Sequence, residues 1–303
     1  MKSGFVNIVG NPNVGKSSLM NLLVGERLSI ATFKAQTTRH RILGIVNTDD
    51  AQIVYSDTPG VLKPNYKMQE AMLTFSESAL EDADVLLYMT DVVESPDKNA
   101  DFLQKVARMR VPVLVLINKI DCLTPEADAK GGESSQDKLV SIVEKWHELL
   151  PQAEIMPLSV KARFNVDALQ RRIMELLPEH PNYFERDQLT DKPARFFVNE
   201  IIREKILLYY DKEVPYSVEV VVESFKEQKH SIHIRAIILV ERESQKGIII
   251  GHGGVALKKV SSEARKALER FFQKSIYLET VVKVDKGWRN NERRLEAFGY
   301  HDI

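Results

Sequence analysis

The chain has 303 residues, 44% of them hydrophobic, a length that suits about two domains and a composition that suits buried cores. These values exclude a collagen, a coiled coil and a largely disordered chain. Forty-two Lys and Arg residues nearly balance 43 Asp and Glu residues, so the molecule as a whole is not a polycation that coats nucleic acid. The single cysteine, Cys122, excludes an intrachain disulfide and favours a reducing compartment such as the cytosol.

The sequence predicts no membrane-spanning segment. The longest apolar run, from Val111 to Ile117, has seven residues and includes Pro112, whereas a helix needs about 20 to cross a bilayer. The N-terminus leads directly into a predicted strand, so we expect no secretory signal. We also expect Cys122 to be a small packed side chain.

The first part of the chain alternates short apolar runs with helix-patterned stretches, which is typical of a mostly parallel sheet with helices on both faces. The predicted strands are Gly4–Val9, Gln52–Tyr55, Asp84–Met89, Val113–Ile117 and Glu154–Leu158, and the predicted helices cover about 16–25, 97–109, 136–149 and 165–177. Residues 41–56 hold two strand patterns joined at Thr48, Asp49 and Asp50, and they predict one antiparallel edge. Residues 122–135 are predicted to form a polar loop.

A domain boundary is predicted near residue 180, where Pro178 and Pro181 stop a helix. Residues 1–180 hold 20 Lys and Arg against 24 Asp and Glu, whereas residues 181–303 hold 22 against 19. The two parts therefore differ in charge as well as in pattern, and we divide the chain into 1–180 and 181–303.

The second domain has a different predicted order of elements. They are a helix from Pro193 to about Tyr210, strands over Ser217–Glu223 and Ser231–Glu241, a short helix, the turn Gly251–Gly254, a long helix to about Gln273, a strand over 276–284 and a polar tail helix. Before the tail, this order is αββααβ, an α+β domain.

A phosphate-binding loop is predicted between the first strand and the first helix. Residues 10–17 read GNPNVGKS, which matches G-x-x-x-x-G-K-[ST] in its required context of strand, loop and helix. Lys16 should lie across the β- and γ-phosphates, and the Ser17 hydroxyl should bind Mg²⁺. The expected nucleotide contacts in this loop are Asn11, Pro12, Asn13, Val14, Gly15, Lys16, Ser17 and Ser18.

The choice of base is predicted from the sequence NKID at residues 118–121. The carboxylate of Asp121 can accept from both N1–H and the exocyclic amine of guanine, whereas adenine offers neither donor on that edge. We expect Asn118 and Lys119 to brace the loops and cover the ring. Ser159, Val160 and Lys161 follow a predicted strand, where a backbone N–H can reach the guanine O6.

Two further segments are predicted to surround the γ-phosphate. Asp57 ends a strand in the sequence DTPG and can hold Mg²⁺ through water, while Gly60 can offer its N–H to the phosphate. Thr37 or Thr38 can complete the Mg²⁺ shell, and we favour Thr38. The predicted metal ligands are therefore Ser17, Thr38 and Asp57, and the predicted catalytic groups include Lys16, Thr38 and Gly60.

In these motifs the sequence resembles a translation-factor-related GTPase, and over nearly its whole length it resembles the Era family of ribosome-assembly GTPases. The added resemblance lies in the segments 34–41, 187–191 and 200–205 and in the C-terminal domain. It implies a P-loop GTPase domain with a mixed sheet, followed by a type II KH domain. It also implies GTP/GDP and Mg²⁺ as ligands, and the single-stranded 3′ end of 16S rRNA in the 30S subunit as partner.

The position after DTPG indicates slow unaided hydrolysis. Ras-like enzymes carry a glutamine there that orients the attacking water, whereas this chain has Val61. A partner, another group or a cation must therefore help. The resemblance to potassium-activated relatives implies Asn13 as a K⁺ ligand and thus a catalytic residue, while the alternative is that Asn13 only stabilises the loop.

The turn after residue 248 resembles the I-G-x-x-G core of KH domains, which clamps the backbone of about four single-stranded nucleotides. Residues 246–294 hold 12 Lys and Arg against five acids, a local basic patch. His252 stands where relatives often have lysine; Lys258 and Lys259 either compensate or form a solvated helix face. The expected RNA contacts are Ile250, Gly251, His252, Gly253, Gly254, Lys258 and Lys259, and Trp288 is either a packing residue or an RNA contact.

The sequence is compatible with two functions. The first is a monomeric cytoplasmic GTPase switch that binds 16S rRNA and acts in maturation of the 30S subunit, with partial peripheral association with a membrane left open. The alternative is a protein-docking or membrane-peripheral GTPase whose KH-like domain does not bind RNA. Salt-sensitive binding to single-stranded RNA would favour the first.

Overall fold

The structure, a computed structural model, describes residues 1–94, 99–123 and 134–300. The predicted loop over 122–135 lies largely outside the described residues, as does the start of the helix predicted over 97–109. The other predicted elements fall within them.

The first domain is built on a mixed sheet, as predicted. Its strands are β1 (Lys2–Gly10), β2 (Ile42–Asn47), β3 (Ala51–Asp57), β4 (Val85–Asp91), β5 (Val113–Asn118) and β6 (Glu154–Pro157). Within the described residues they lie in the order β2-β3-β1-β4-β5-β6. Every pair is parallel except β2 with β3, so the predicted antiparallel edge is confirmed. Strands β4 and β5 are buried along their whole length, as expected where helices cover both faces.

Helices cover both faces of this sheet. They are α1 (Lys16–Val24), α2 (Lys67–Glu81), α3 (Ala100–Ala107), α4 (Ser135–Leu149) and α5 (Val166–Leu176). Helix α2 was not predicted from the sequence; the others lie close to their predicted bounds. The buried residues of α2 include Met68, Met72, Phe75 and Ala79, whose spacing places them on one face of the helix.

The second domain has the predicted αββααβ order. Its elements are α6 (Ala194–Tyr209), β7 (Glu219–Glu227), β8 (Ser231–Val240), α7 (Glu243–Ile250), α8 (Val255–Phe272), β9 (Ser275–Val284) and the tail helix α9 (Glu292–Ala297). The sheet order is β7-β8-β9, with β7 antiparallel and β9 parallel to β8. Helices α6 and α8 pack on this sheet, and Val198, Ile202 and Val260 lie in its core.

The segment between the domains lies along the edge of the first sheet. The N–H of Ile45 in β2 donates to the carbonyl of Leu189 at 2.8 Å, and the N–H of Leu43 donates to Asp191 Oδ1 at 2.9 Å. Residues as far along the chain as Asp191 thus contact the first domain. The boundary near 180 stays a prediction.

No helix in the ranges 1–94, 99–123 and 134–300 combines the length and the apolar character needed to cross a bilayer.

Candidate functional site

A cavity of about 620 Å³ opens beside the loop that follows β1. Thirteen of the predicted nucleotide contacts line it: Pro12, Asn13, Gly15, Lys16, Ser17, Ser18, Thr38, Gly60, Asn118, Lys119, Asp121, Val160 and Lys161. The predicted residues outside its lining are Asn11, Val14, Asp57 and Ser159, and each of them forms a hydrogen bond with a lining residue. Lining residues that the sequence analysis did not select for the nucleotide are Ile30, Ala31, Thr32, Phe33, Gln36 and Cys122, and Thr37, the alternative to Thr38, lines the cavity as well.

Two glycines of the loop are required by its close packing. A Cβ on Gly10 would lie 2.1 Å from the carbonyl oxygen of Met89, and a Cβ on Gly15 would lie 2.4 Å from Asn118 Nδ2. Both also have positive φ angles, 141° and 108°, which side chains disfavour. The loop can therefore hold its backbone close to a phosphate only with glycine at both positions.

Lys16 is buried at the bottom of this loop. Its Nζ donates to the carbonyls of Gly10 at 3.0 Å and Asn11 at 2.8 Å. Burial lowers the pKa of Lys16 to about 8, and the carboxylates of Asp57 and Glu94 act in the opposite direction. The site thus holds a desolvated cation that an anionic ligand would stabilise in its charged form.

Three oxygen ligands predicted for Mg²⁺ converge beside Lys16. Ser17 Oγ donates to Asp57 Oδ2 at 2.6 Å and lies 2.8 Å from Thr38 Oγ1, which in turn lies 3.3 Å from Asp57 Oδ2. Asp57 is fully buried, its Oδ1 has no hydrogen-bond partner among the described residues, and burial raises the pKa of its carboxyl group. Hydroxyl and carboxylate oxygens are what Mg²⁺ prefers, so these residues fit the ion.

The hydroxyl of Thr37 points away from this cluster. Its Oγ1 donates to the carbonyl of Lys34 at 2.6 Å and lies 2.9 Å from Thr32 Oγ1. Of the two threonines considered from the sequence, the structure brings Thr38 to the cluster.

The DTPG segment lies against the phosphate loop. A Cβ on Gly60 would lie 2.7 Å from Pro12, so glycine allows the two segments to touch. The next residue, Val61, is 3% exposed and donates its N–H to the carbonyl of Gly10 at 3.1 Å. Its side chain packs in the core beside β4, where it cannot orient water in the cavity.

The opposite end of the cavity is formed by the NKID segment. Asn118 Nδ2 donates to the carbonyl of Val14 at 2.8 Å, and the N–H of Val160 donates to Asn118 Oδ1 at 3.0 Å. Ser159 Oγ donates to Asp121 Oδ1 at 2.6 Å. Cys122 is exposed here, so the prediction that it is a packed side chain was wrong.

The G-x-x-G turn joins α7 to α8 in the second domain. Gly251, Gly253 and Gly254 have φ angles of 71°, 59° and 77°, a conformation that glycine adopts without strain. Gly251 and Gly254 are partly exposed beside Ile250, while His252, Gly253, Lys258 and Lys259 are exposed. All the predicted RNA contacts thus lie on one accessible turn and the start of α8.

Lys259 and Trp288 both belong to the basic segment 246–294, but Lys259 is exposed and Trp288 is buried. Lys259 Nζ lies 4.6 Å from the ring centroid of Tyr209, a cation–π distance. Trp288 is fully buried, and its Nε1 donates to the carbonyl of Ser217 at 3.1 Å. Trp288 is therefore a packing residue, and the alternative of RNA contact is excluded by its burial.

Comparisons with known proteins found a matching family for each of the two domains. Residues 5–119 match the family described as 50S ribosome-binding GTPase, and residues 213–289 match the KH domain family. The curated GTPase Era of Pseudomonas putida is 41% identical over the whole chain and 97% of its own length. The chain belongs to the Era family of GTPases. The chain is therefore an enzyme that hydrolyses GTP.

Two solved structures of Era are similar to this chain in both fold and sequence. One is Era in complex with MgGDPNP and nucleotides 1506–1542 of 16S ribosomal RNA, and the other is a single-substitution variant of Aquifex aeolicus Era bound to GDP·AlF₄⁻. Each is 37% identical to this chain, covers 99% of both chains and superimposes with a TM-score of 0.91. The P-loop GTPase and KH architecture expected for an Era family member is thus confirmed.

In this Era family member, the segment that carries Thr38 also contacts the KH domain. The Arg39 guanidinium is 1% exposed and donates to the carbonyls of Val218 at 2.6 Å and Tyr216 at 3.2 Å. It also pairs with Glu219 at 3.3 Å. Arg203 of α6 donates to the carbonyl of Thr37. Cationic side chains therefore bridge the domains in both directions.

His40 extends the same interface. Its ring centroid lies 4.4 Å from that of Tyr300, and its Nε2 lies 3.1 Å from the carbonyl of Phe298. Burial lowers the pKa of His40, which favours the neutral ring in this packed position. The resemblance to Era includes the segment 34–41, but no local pattern in the sequence indicates that its side chains reach the second domain.

Proposed function

We propose that this chain is a GTP-controlled RNA-binding switch that acts in the cytoplasm during maturation of the 30S subunit. In this proposal the cavity binds GTP or GDP, and the KH domain binds the single-stranded 3′ end of 16S rRNA. The proposal rests on the segment 37–40. In it the predicted Mg²⁺ ligand Thr38 is followed directly by Arg39, whose buried guanidinium donates to a backbone carbonyl of the KH domain.

The nucleotide would be held through contacts spread over the cavity. Lys16 would bind the β- and γ-phosphates, Gly60 would donate its N–H to the γ-phosphate, and Asp121 would accept from the guanine edge. Ser17, Thr38 and Asp57 would hold Mg²⁺. When bound, the ion would neutralise charge on the β- and γ-phosphate oxygens.

Hydrolysis would need a group that the segment after Gly60 does not supply. Val61 packs in the core, so the attacking water must be oriented by other means. We propose that Asn13, whose exposed side chain lines the cavity, binds K⁺ there. The chain would then be activated by a cation where other GTPases use an arginine.

Cation dependence tests this part of the proposal. We expect GTP turnover to be faster in KCl than in NaCl at equal ionic strength, and Asn13→Ala to remove the difference while leaving GDP affinity nearly unchanged. Equal rates in the two salts would reject the cation and leave a partner-supplied group.

RNA binding is proposed to use the exposed G-x-x-G turn. Nothing in the described protein lies within 4 Å of a Cβ placed on Gly253 or Gly254, so this surface can accept a phosphate backbone. Lys258 and Lys259 follow it on α8 and add positive charge. By this argument, affinity should fall steeply with salt, because bound cations are released from the RNA.

A pair of variants matched in size but not in charge tests the RNA site. Gly254→Asn and Gly254→Asp have similar size, and both residues tolerate a positive φ better than most. We expect Gly254→Asp to abolish binding of the single-stranded 3′ segment of 16S rRNA, and Gly254→Asn to weaken it much less. Fluorescence anisotropy at several salt concentrations measures both.

The rival function predicts a different result. If the second domain instead docks on protein or membrane, the wild-type chain will bind the 3′ segment no more tightly than an unrelated RNA, and neither variant will change that affinity. Binding to anionic vesicles without RNA binding would support the peripheral-membrane alternative.

A further inference from the structure

Asp91 is a buried carboxylate that the sequence analysis did not select. It is the last residue of β4 and pairs in register with Asn118, the last residue of β5. Asp91 is 7% exposed, and its Oδ2 accepts from Lys119 Nζ at 2.6 Å. The ion pair therefore lies at the end of the sheet where the base-binding segment begins.

The two carboxylate oxygens of Asp91 have different partners. Oδ1 accepts from the N–H groups of Val93 and Glu94, both at 2.9 Å, and so stabilises the turn after β4. Oδ2 serves Lys119 alone among its described hydrogen-bond partners. A variant that changes only one of these contacts can therefore separate a turn-stabilising role from a role directed at Lys119.

The ammonium group of Lys119 is bound by two parts of the first domain, the end of β4 and the phosphate loop. Its Nζ also donates to the carbonyl of Asn13 at 2.7 Å, in the phosphate loop. The backbone of Lys119 has a φ of 63°, a left-handed conformation that is uncommon for residues other than glycine. With the backbone and the ammonium both fixed, the aliphatic stem that connects them has little remaining freedom at the cavity wall.

We infer that Asp91 is a positioning residue for guanine nucleotide, which acts by fixing Lys119 between β4 and the phosphate loop. A lysine stem has four rotatable bonds, and holding it in one conformation costs entropy. The ion pair with Asp91 already fixes the stem in the free protein, so less conformational entropy is lost when the base binds. The inference rests on the proposed nucleotide site and adds to it a residue that touches no ligand.

The same contacts join the base end of the cavity to its phosphate end. Asp91 and Asn13 are connected only through Lys119 Nζ in these hydrogen bonds. Loss of the carboxylate charge should therefore loosen the hold on both the base and the loop, and a faster release of nucleotide is the expected sign.

The test compares GDP dissociation rates of full-length variants by displacement of a fluorescent GDP. Asp91→Asn keeps an oxygen for the N–H groups of Val93 and Glu94 but turns an amide towards Lys119. We expect it to release GDP about tenfold faster, the size expected for loss of one charge-assisted hydrogen bond, with little change in melting temperature. Asp91→Ala should release GDP as fast and also melt at a lower temperature.

A double-mutant cycle with Lys119→Met makes the test specific. Methionine keeps an apolar stem and removes the ammonium, so Asp91→Asn should have no further effect in that background. The matched control is Glu77→Gln, which removes an exposed carboxylate paired with Lys105 at 2.6 Å and should leave the dissociation rate unchanged.

Two results would overturn the inference. One is a wild-type GDP dissociation rate in Asp91→Asn, and the other is an unchanged effect of Asp91→Asn in the Lys119→Met background. A wild-type chain that fails to bind GDP at all would reject the nucleotide site itself, which is a separate and recognisable outcome.

Discussion

Asp121 reaches the cavity with a carboxylate that is already oriented. Its Oδ1 accepts from the Ser159 hydroxyl at 2.6 Å, which limits rotation of the group. Asp121→Asn places an amide donor opposite the donors of guanine, whereas xanthine presents a carbonyl there. We predict a shift in preference from GTP towards XTP, worth a few kcal/mol, in competition binding.

The control for this substitution is Asp101→Asn, which removes an exposed carboxylate on α3. It should leave the preference for GTP unchanged. Unchanged selectivity in Asp121→Asn itself would mean that another residue reads the base.

Residues of the nucleotide site could be predicted from the sequence where their function depends on neighbours in the chain. The loop at 10–17 and the NKID segment each carry their chemistry within a few positions, so their patterns were sufficient. Asp91 and Arg39 could not be found in this way, because their partners lie 28 and 179 residues away. Only the fold brings such residues together.

The G-x-x-G turn makes a prediction at the scale of a helix pair. Gly251 and Gly253 both have positive φ angles, but a Cβ on Gly251 would lie 2.7 Å from Ala256 Cβ, whereas a Cβ on Gly253 would meet nothing of the described chain within 4 Å. Gly251 (φ 71°, ψ 175°) also lies in a region that side chains adopt less readily than the left-handed helical conformation of Gly253 (φ 59°, ψ 18°). Gly251→Ala therefore adds a steric clash to a backbone cost of about 1–3 kcal/mol.

We expect Gly251→Ala to lower the free energy of unfolding by clearly more than Gly253→Ala. Chemical denaturation of the two variants measures the difference, and the alanine added is the same in both. Equal destabilisation would show that neither the contact with Ala256 nor the different ψ angle of Gly251 adds to the cost.

Helix α2 shows where sequence interpretation failed at this scale. Its apolar positions, Met68, Met72, Phe75 and Ala79, have the spacing of a helical face, so the signal was present. The residue before it, Tyr66, makes no side-chain cap to the described helix, and the usual sign of a helix start was missing. Met68, Met72 and Phe75 pack with Trp288, Leu295 and Tyr300 of the second domain, and the sequence does not reveal these partners.

At the scale of the whole molecule, Arg39 predicts coupling between nucleotide and RNA. If the γ-phosphate orders Thr38, the adjacent Arg39 transmits the change to the KH domain through its bonds to Val218 and Tyr216. We expect RNA affinity to differ between GDP and a non-hydrolysable GTP analogue by about 5–150-fold, the usual range for linked sites. In Arg39→Met this ratio should fall towards one.

Arg41→Met is the matched control for this prediction. Arg41 lies two residues away but pairs with Asp82 inside the first domain at 2.9 Å, so the nucleotide dependence should survive. Identical RNA affinities in both nucleotide states of the wild type would refute nucleotide control, although RNA could still change the hydrolysis rate.

The segment along β2 has a consequence for solubility. An edge strand with free N–H and C=O groups invites pairing with another molecule, and residues 183–191 occupy that edge through Leu189 and Asp191. A fragment of residues 1–180 would expose it, whereas residues 1–192 would keep it covered. We expect the shorter fragment to self-associate and the longer one to stay monomeric in analytical ultracentrifugation, so the connection between the domains also shields the first from aggregation.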